Sequence, residues 1–191
     1  MIKAIIFDCF GVVITDTLEA AYTRLGGDFV KDLPKIREIL FLADKGQIPS
    51  SHPAIAELLG VSPSSYTTAV ASGRQVNHDL LNYIDSDLRS NYKVAMLSNV
   101  ARGRLPEIFG IGFLEKYFEK VVASGDIGYA KPEAQAYEIV AAQLGVRLDE
   151  CVFTDDRQDY IDGAMGVGMK TILFQSTAQF IEDLTEMLHD D

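Results

Sequence analysis

The sequence predicts an α/β protein: a Rossmann-like, doubly wound parallel sheet interrupted early by an all-helical insertion. Three observations predict it. Short apolar runs, bounded by polar or glycine-rich residues, recur at residues 2–7, Val94–Leu97, Lys120–Ala123, Cys151–Thr154 and Thr171–Phe174. Their lack of polar/apolar alternation fits strands buried on both faces of a parallel sheet. Helical segments lie between the last four runs, notably at Glu133–Leu144, where Ala136, Ile139, Val140 and Leu144 share a face and Gly145 stops the helix. The stretch from Thr15 to about Ser90 has helical periodicity and loop signals without a convincing buried strand. These signals divide the chain into an α/β core, residues 1–14 and 91–191, and a helical insertion, residues 15–90.

Within the insertion, Asp16 followed by Glu19 resembles a capping box that opens a helix through about Leu25, closed by Gly26-Gly27. Further helices are expected at Leu33–Leu42, Pro53–Leu59, Pro63–Ala71 and Asn77–Arg89, with residues 49–53 as an irregular joint. The chain shows no internal repeat or low-complexity tract.

Composition narrows the function classes. With 191 residues, 48% of them hydrophobic, the chain can bury one substantial core. Seventeen Lys and Arg against 28 Asp and Glu give a net charge of -11, which argues against nucleic acid or an anionic membrane as a partner. The apolar runs are far shorter than the roughly 20 residues that span a bilayer. The opening residues turn acidic too soon for a signal peptide. Two cysteines, Cys9 and Cys151, make no disulfide framework, and the expected location is the reducing cytoplasm. Strand positions would hold them roughly 13 Å apart at about 3.3 Å per residue, so they are not expected to pair. His52, His78 and His189 have no partner pattern and read as surface residues.

Four polar sites follow four of the expected strands: Asp8, Ser98-Asn99, Lys131 and Asp155-Asp156. In open α/β sheets, ligands bind outside the carboxyl ends of the strands, so all four can meet in one pocket. Each residue alone reads more simply as a helix cap or a solvated loop residue. Together, a carboxylate, a hydroxyl, a lysine and two further carboxylates suit an anionic substrate with a hard cation such as Mg2+, which prefers oxygen ligands.

The segments Ile5-Ile6-Phe7-Asp8-Cys9-Phe10-Gly11-Val12-Val13, Met96-Leu97-Ser98-Asn99, Ala130-Lys131-Pro132 and Phe153-Thr154-Asp155-Asp156-Arg157 match, in order and spacing, the motifs of the haloacid dehalogenase superfamily. The resemblance extends over the full chain. It implies a helical cap over an α/β hydrolase core, with Asp8 as a covalent nucleophile. It further implies that Lys131 neutralises Asp8 and substrate charge, and that Ser98, Asn99 and Lys131 hold phosphoryl oxygens. Mg2+ would be bound by Asp8, the Phe10 backbone carbonyl, Asp155 and Asp156. The implied partner is a small phosphorylated substrate. The resemblance leaves substrate identity and oligomeric state open.

One position departs from the pattern. Family phosphatases carry a second aspartate two residues after the nucleophile, as acid and then base, and here that residue is Phe10. Family dehalogenases often have an aromatic residue there, because a halide leaves without a proton. The resemblance therefore implies first a Mg2+-dependent phosphatase, weakened or specialised by Phe10. A metal-independent haloacid dehalogenase and a catalytically degenerate binding or regulatory protein are the alternatives. The Asp155-Asp156 pair speaks for the phosphatase, since dehalogenases typically lack it.

Overall fold

The computed structural model describes residues 1–189, and among them five parallel strands form one sheet. They are β1 (Ala4–Phe7), β2 (Lys93–Ser98), β3 (Lys120–Ala123), β4 (Cys151–Asp155) and β5 (Lys170–Leu173), in the order β3-β2-β1-β4-β5. β1 is central, pairing Phe7 with Met96 on one side and with Thr154 on the other. The order reverses direction at β1, so the crevice beyond its carboxyl end is the topological switch point at which such sheets bind ligands.

Both faces of the sheet are buried, which accounts for the unalternating strand sequences. Ile5 and Phe7 point to one side, among Leu80, Leu81, Ile84, Phe180 and Leu184. Ala4 and Ile6 point to the other, with Ala95 and Leu97, against Tyr137, Val140, Leu144 and Ile161. The helices that cover these faces are α5 (His78–Tyr83), α6 (Arg104–Phe109), α7 (Ser124–Ile127), α8 (Ala134–Leu144), α9 (Gln158–Gly166) and α10 (Thr177–His189), with α5 continuing as a π-helical turn at Ile84–Leu88. The α10 helix buries Phe180 and Leu184, one turn apart, and Phe180 meets the Phe7 ring edge-on at 5.2 Å. These are the i, i+4 contacts of an amphipathic helix.

Between β1 and α5 stand α1 (Leu18–Arg24), α2 (Phe29–Asp44), α3 (His52–Leu59) and α4 (Pro63–Ser72). They build a separate apolar cluster around Tyr22, Ile36, Ile55, Ala56 and Tyr66. The α2 helix starts earlier than Leu33 because Asp28 caps it, accepting from Lys31 N at 3.1 Å. Pro34 then lies inside the helix and removes only one hydrogen bond, that to the Val30 carbonyl. The capping box expected at Asp16 does not form. Asp16 accepts instead from Leu18 N at 3.0 Å, and the Thr17 hydroxyl, at the N-cap, is drawn away to the Val70 carbonyl at 2.7 Å. A long-range hydrogen bond to α4 outcompetes the local cap. The residues from Leu80 to Leu88, though inside the inserted stretch, pack on the sheet rather than on this cluster. Among the described residues, no helix is long and apolar enough to cross a membrane.

Candidate active site

The carboxyl ends of β1, β2 and β4 deliver their polar residues to one place. Asp8 follows β1 directly and is buried, its amide donating to the Thr154 carbonyl at 2.9 Å. Asp155 is the last residue of β4 and is fully buried, and Asp156 beside it is exposed. Each of these three aspartates offers a carboxylate oxygen, and those oxygens all lie within 4.8 Å of one another. Such a cluster suits a hard divalent cation, which takes carboxylate oxygens near 2 Å.

Lys131 binds the carboxylates together. Its ammonium donates to Asp8 Oδ1 at 2.5 Å and to Asp155 Oδ2 at 2.6 Å, with the side chain wholly buried. The rings of Tyr160 and Phe153 flank it, their centroids 4.9 and 5.3 Å from Nζ. Asn99 sets this loop in place: its Oδ1 accepts from Lys131 N at 2.8 Å, and its Nδ2 donates to the Lys131 carbonyl at 2.9 Å. Asn99 is thereby engaged with the main chain of Lys131. Asp155 combines two tasks, since its other oxygen accepts from Arg157 N at the start of α9. The helix-capping reading and the site reading hold together for this residue.

Ser98 closes β2 and is fully buried, and its hydroxyl has no hydrogen-bond partner among the described residues. A buried hydroxyl without a partner costs free energy, and an oxygen of a bound ligand would relieve that cost. Phe10 is half-buried, lines the cavity and packs on the core cluster. Gly11, next along, has φ of 90°, and a Cβ there would lie 2.1 Å from Asp156 Oδ2. Only glycine admits both the backbone turn and the carboxylate.

Charge in the site is governed by burial. Desolvation, with Asp155 adding to it, pushes Asp8 up to about 7 in spite of Lys131. Desolvation and Asp155 likewise raise Asp156 to about 6. Burial works against the Lys131 charge, yet Asp8 and Asp155 outweigh it and hold the ammonium above the ordinary lysine range.

A cavity of about 440 Å³ opens over Asp8, Asn99, Lys131 and Asp156, and its far wall comes from α2, α3 and α4. Sequence reading missed several residues of that wall. His52, expected at the surface, lines the cavity, because α3 lays it on Tyr66 with ring centroids 5.2 Å apart. Its Nδ1 meets Thr67 Oγ1 at 2.8 Å and its Nε2 meets Arg104 at 3.3 Å. Burial, aided by Arg104 and Arg74, lowers its pKa to about 4, so the ring is neutral at pH 7. His78 and His189 are exposed as expected. From the insertion, Arg37 also reaches the cavity. Tyr22 donates to Asp32, and Arg24 donates to the Ala69 carbonyl and Ser72, inside the insertion. Cys9 and Cys151 are buried free thiols, and burial raises the pKa of both.

The model for the haloacid dehalogenase-like hydrolases matches residues 67–168, just over half the chain. A phosphatase of Mycobacterium tuberculosis is 38% identical over 66 residues, a match covering 35% of this chain and 30% of the relative. The chain thus spans under a third of that curated relative. Two solved structures share the fold. A HAD family enzyme from Bacteroides thetaiotaomicron, in complex with magnesium and inorganic phosphate, superimposes with a TM-score of 0.74 at 24% identity, over 93% of this chain and 96% of that one. L-2-haloacid dehalogenase from Xanthobacter autotrophicus, with chloropropionic acid covalently bound, gives 0.67 at 20% identity, over 97% and 83%. With the family model matched across most of the motifs and the same sheet built around them, the chain belongs to the haloacid dehalogenase-like hydrolases.

Proposed function

We propose that this chain is a Mg2+-dependent phosphatase of a small phosphorylated metabolite, working through a phospho-aspartyl intermediate on Asp8. The observation that carries the reading is the cluster of Asp8, Asp155 and Asp156 beside a buried Lys131, with the unpartnered Ser98 hydroxyl at the same strand ends. Asp8 attacks phosphorus, and Lys131 offsets the charge that nucleophile and substrate bring together. Ser98 and Lys131 hold phosphoryl oxygens, and Asn99 contributes by fixing Lys131. Asp8, Asp155, Asp156 and the Phe10 carbonyl would hold Mg2+, which supplies charge neutralisation to phosphoryl transfer. The Mycobacterium phosphatase and the magnesium and phosphate complex of the Bacteroides enzyme support this reading. The α1–α4 helices serve as the cap, with the core–cap division nearer residue 77 than 90. The two buried thiols agree with a cytoplasmic setting.

The test is release of phosphate from phosphate esters, and of halide from 2-haloacids, with Mg2+ and with EDTA. Phosphate release that EDTA abolishes is the expected result. Halide release that survives EDTA would select the dehalogenase reading, which Phe10 favours. Release of neither would select a binding protein.

Gly11→Ala probes the metal site without replacing a ligand residue. The new methyl group has to displace the Asp156 carboxylate. Mg2+ affinity is expected to fall about 10- to 100-fold, the usual effect of disturbing the support of a ligand. Titration calorimetry on protein shown to be folded measures it, and unchanged affinity would remove Asp156 from the ligand set.

A further inference from the structure

We propose that Asp44, at the end of cap helix α2, is the proton donor to the leaving group and then the base for the attacking water. It supplies from the cap what Phe10 cannot. The inference rests on the phosphatase reading.

Elimination among the acidic groups lining the cavity points to Asp44. Asp8 and Asp156 belong to the nucleophile and metal cluster. Glu133 is held by Lys45 at 2.7 Å and by the Ala130 amide at 2.8 Å. Asp159 is gripped by two nitrogens of Arg157. Asp16 accepts from Leu18 N, and both ring nitrogens of His52 are engaged. Asp44 alone in this group is outside the cluster and has a side chain with no hydrogen bond or ion pair among the described residues.

Its position is held by the two residues that follow it. The next residue, Lys45, forms the bridge to Glu133, two residues after Lys131, and lies 5.0 Å from the Tyr129 ring. Gly46 packs so closely on the Gly125 carbonyl that a Cβ there would stand 2.5 Å from it. The end of α2 is therefore docked on α7 and on the segment that carries Lys131, and Asp44 lines the cavity beside them. Lys131, Arg157 and Tyr160 are the charged and titratable groups that act on it. Burial raises Asp44 to about 7 against the pull of Lys131 and Arg157. A carboxyl poised there carries a proton for a useful fraction of the time at neutral pH, as an acid–base catalyst needs.

The proton balance closes. As Asp8 Oδ bonds to phosphorus and the ester P–O bond breaks, the departing alkoxide takes the Asp44 proton. The product is the free alcohol, leaving phospho-Asp8 and the Asp44 carboxylate. That carboxylate then takes a proton from water as the water oxygen bonds to phosphorus and the Asp8–phosphorus bond breaks. Phosphate is released, and both aspartates return to their starting states.

The test compares wild type and Asp44→Asn, with Mg2+, on glycerol phosphate and on p-nitrophenyl phosphate. Proton transfer from a positioned group contributes about 10² to 10⁴ in rate, and an alkoxide needs it where a nitrophenolate does not. The expected loss in kcat/KM is at least about 100-fold for glycerol phosphate and under about tenfold for p-nitrophenyl phosphate. The variant should also release a burst of nitrophenolate before a slower steady state, because water attack on phospho-Asp8 lacks its base. Thermal unfolding should be unchanged or raised, since Asn replaces a carboxyl that nothing pairs. Equal losses on the two esters, or no loss on either, would overturn the role of Asp44 while leaving the phosphatase reading intact. A wild type that releases no phosphate from either ester would overturn both.

Discussion

Asp8→Asn is expected to lower phosphate release by about 10⁴-fold or more, the scale on which removal of a covalent nucleophile acts. The amide has the same shape and can still accept from Lys131, so the fold around it should survive. What it lacks is an anionic oxygen able to bond to phosphorus. Burial already raises Asp8 to about 7, so replacing it with a neutral group relieves desolvation, and thermal stability should be equal or higher. Loss of turnover would therefore be separated from loss of structure. The check is kcat at saturating substrate together with acid-quenched mass spectrometry, which should find phosphate on Asp8 in the wild type and none in the variant. Turnover above about one per cent of wild type would place the nucleophile elsewhere.

The second large effect is expected at Lys131. Lys131→Met keeps most of the volume and removes the cation that faces Asp8 at 2.5 Å and Asp155 at 2.6 Å. Breaking a buried ion pair from one side costs about 3–5 kcal/mol. For a chain of this size that is roughly 6–20 °C in Tm. The pH dependence has a definite sign. Asp8 sits at about 7 in the folded protein against 3.8 as its reference value, so the folded state holds its proton more tightly. The contribution of such a group is favourable at low pH and is lost as pH rises between those values. Removing Lys131 raises Asp8 further and extends that window upward. In EDTA, the Tm difference between wild type and variant should accordingly be larger at pH 8 than at pH 5. A pH-independent difference would show that Lys131 stabilises by packing alone. Activity should fall as well, since the charge of Asp8 and substrate would be left without compensation.

Much of this molecule was legible in one dimension. All five strands were marked by apolar runs, and their observed bounds differ from the expected ones by a residue or two. The reason is that a strand covered on both faces has no polar side to dilute its signal. The Asp8, Lys131, Asp155 and Asp156 constellation was readable because the carboxyl ends of parallel strands share one edge, so order along the chain translates into proximity. Helix α8 was equally clear, as its apolar face and terminal Gly145 are local features. The α10 helix was not marked out, although Phe180, Ile181, Leu184 and Leu188 carry a helical spacing that would have found it.

What the sequence determined by itself is thus the sheet, the helical insertion and the identity of the charged groups at the strand ends. These depend on short-range periodicity and on a topology with few alternatives. Tertiary structure alone decided which polar groups are satisfied and which are left open. Thr17 gives up its cap to a carbonyl 53 residues away, Asn99 is committed to Lys131 across 32 residues, and Lys45 anchors to Glu133 across 88. Ser98 and Asp44 have no such partner among the described residues. Pairings of this kind arise only when segments distant in sequence pack together, within the insertion for Thr17, within the core for Asn99 and between the two for Lys45. The burial that raises Asp8 and Asp44 to about 7 arises in the same step, because desolvation comes from neighbours distant in sequence.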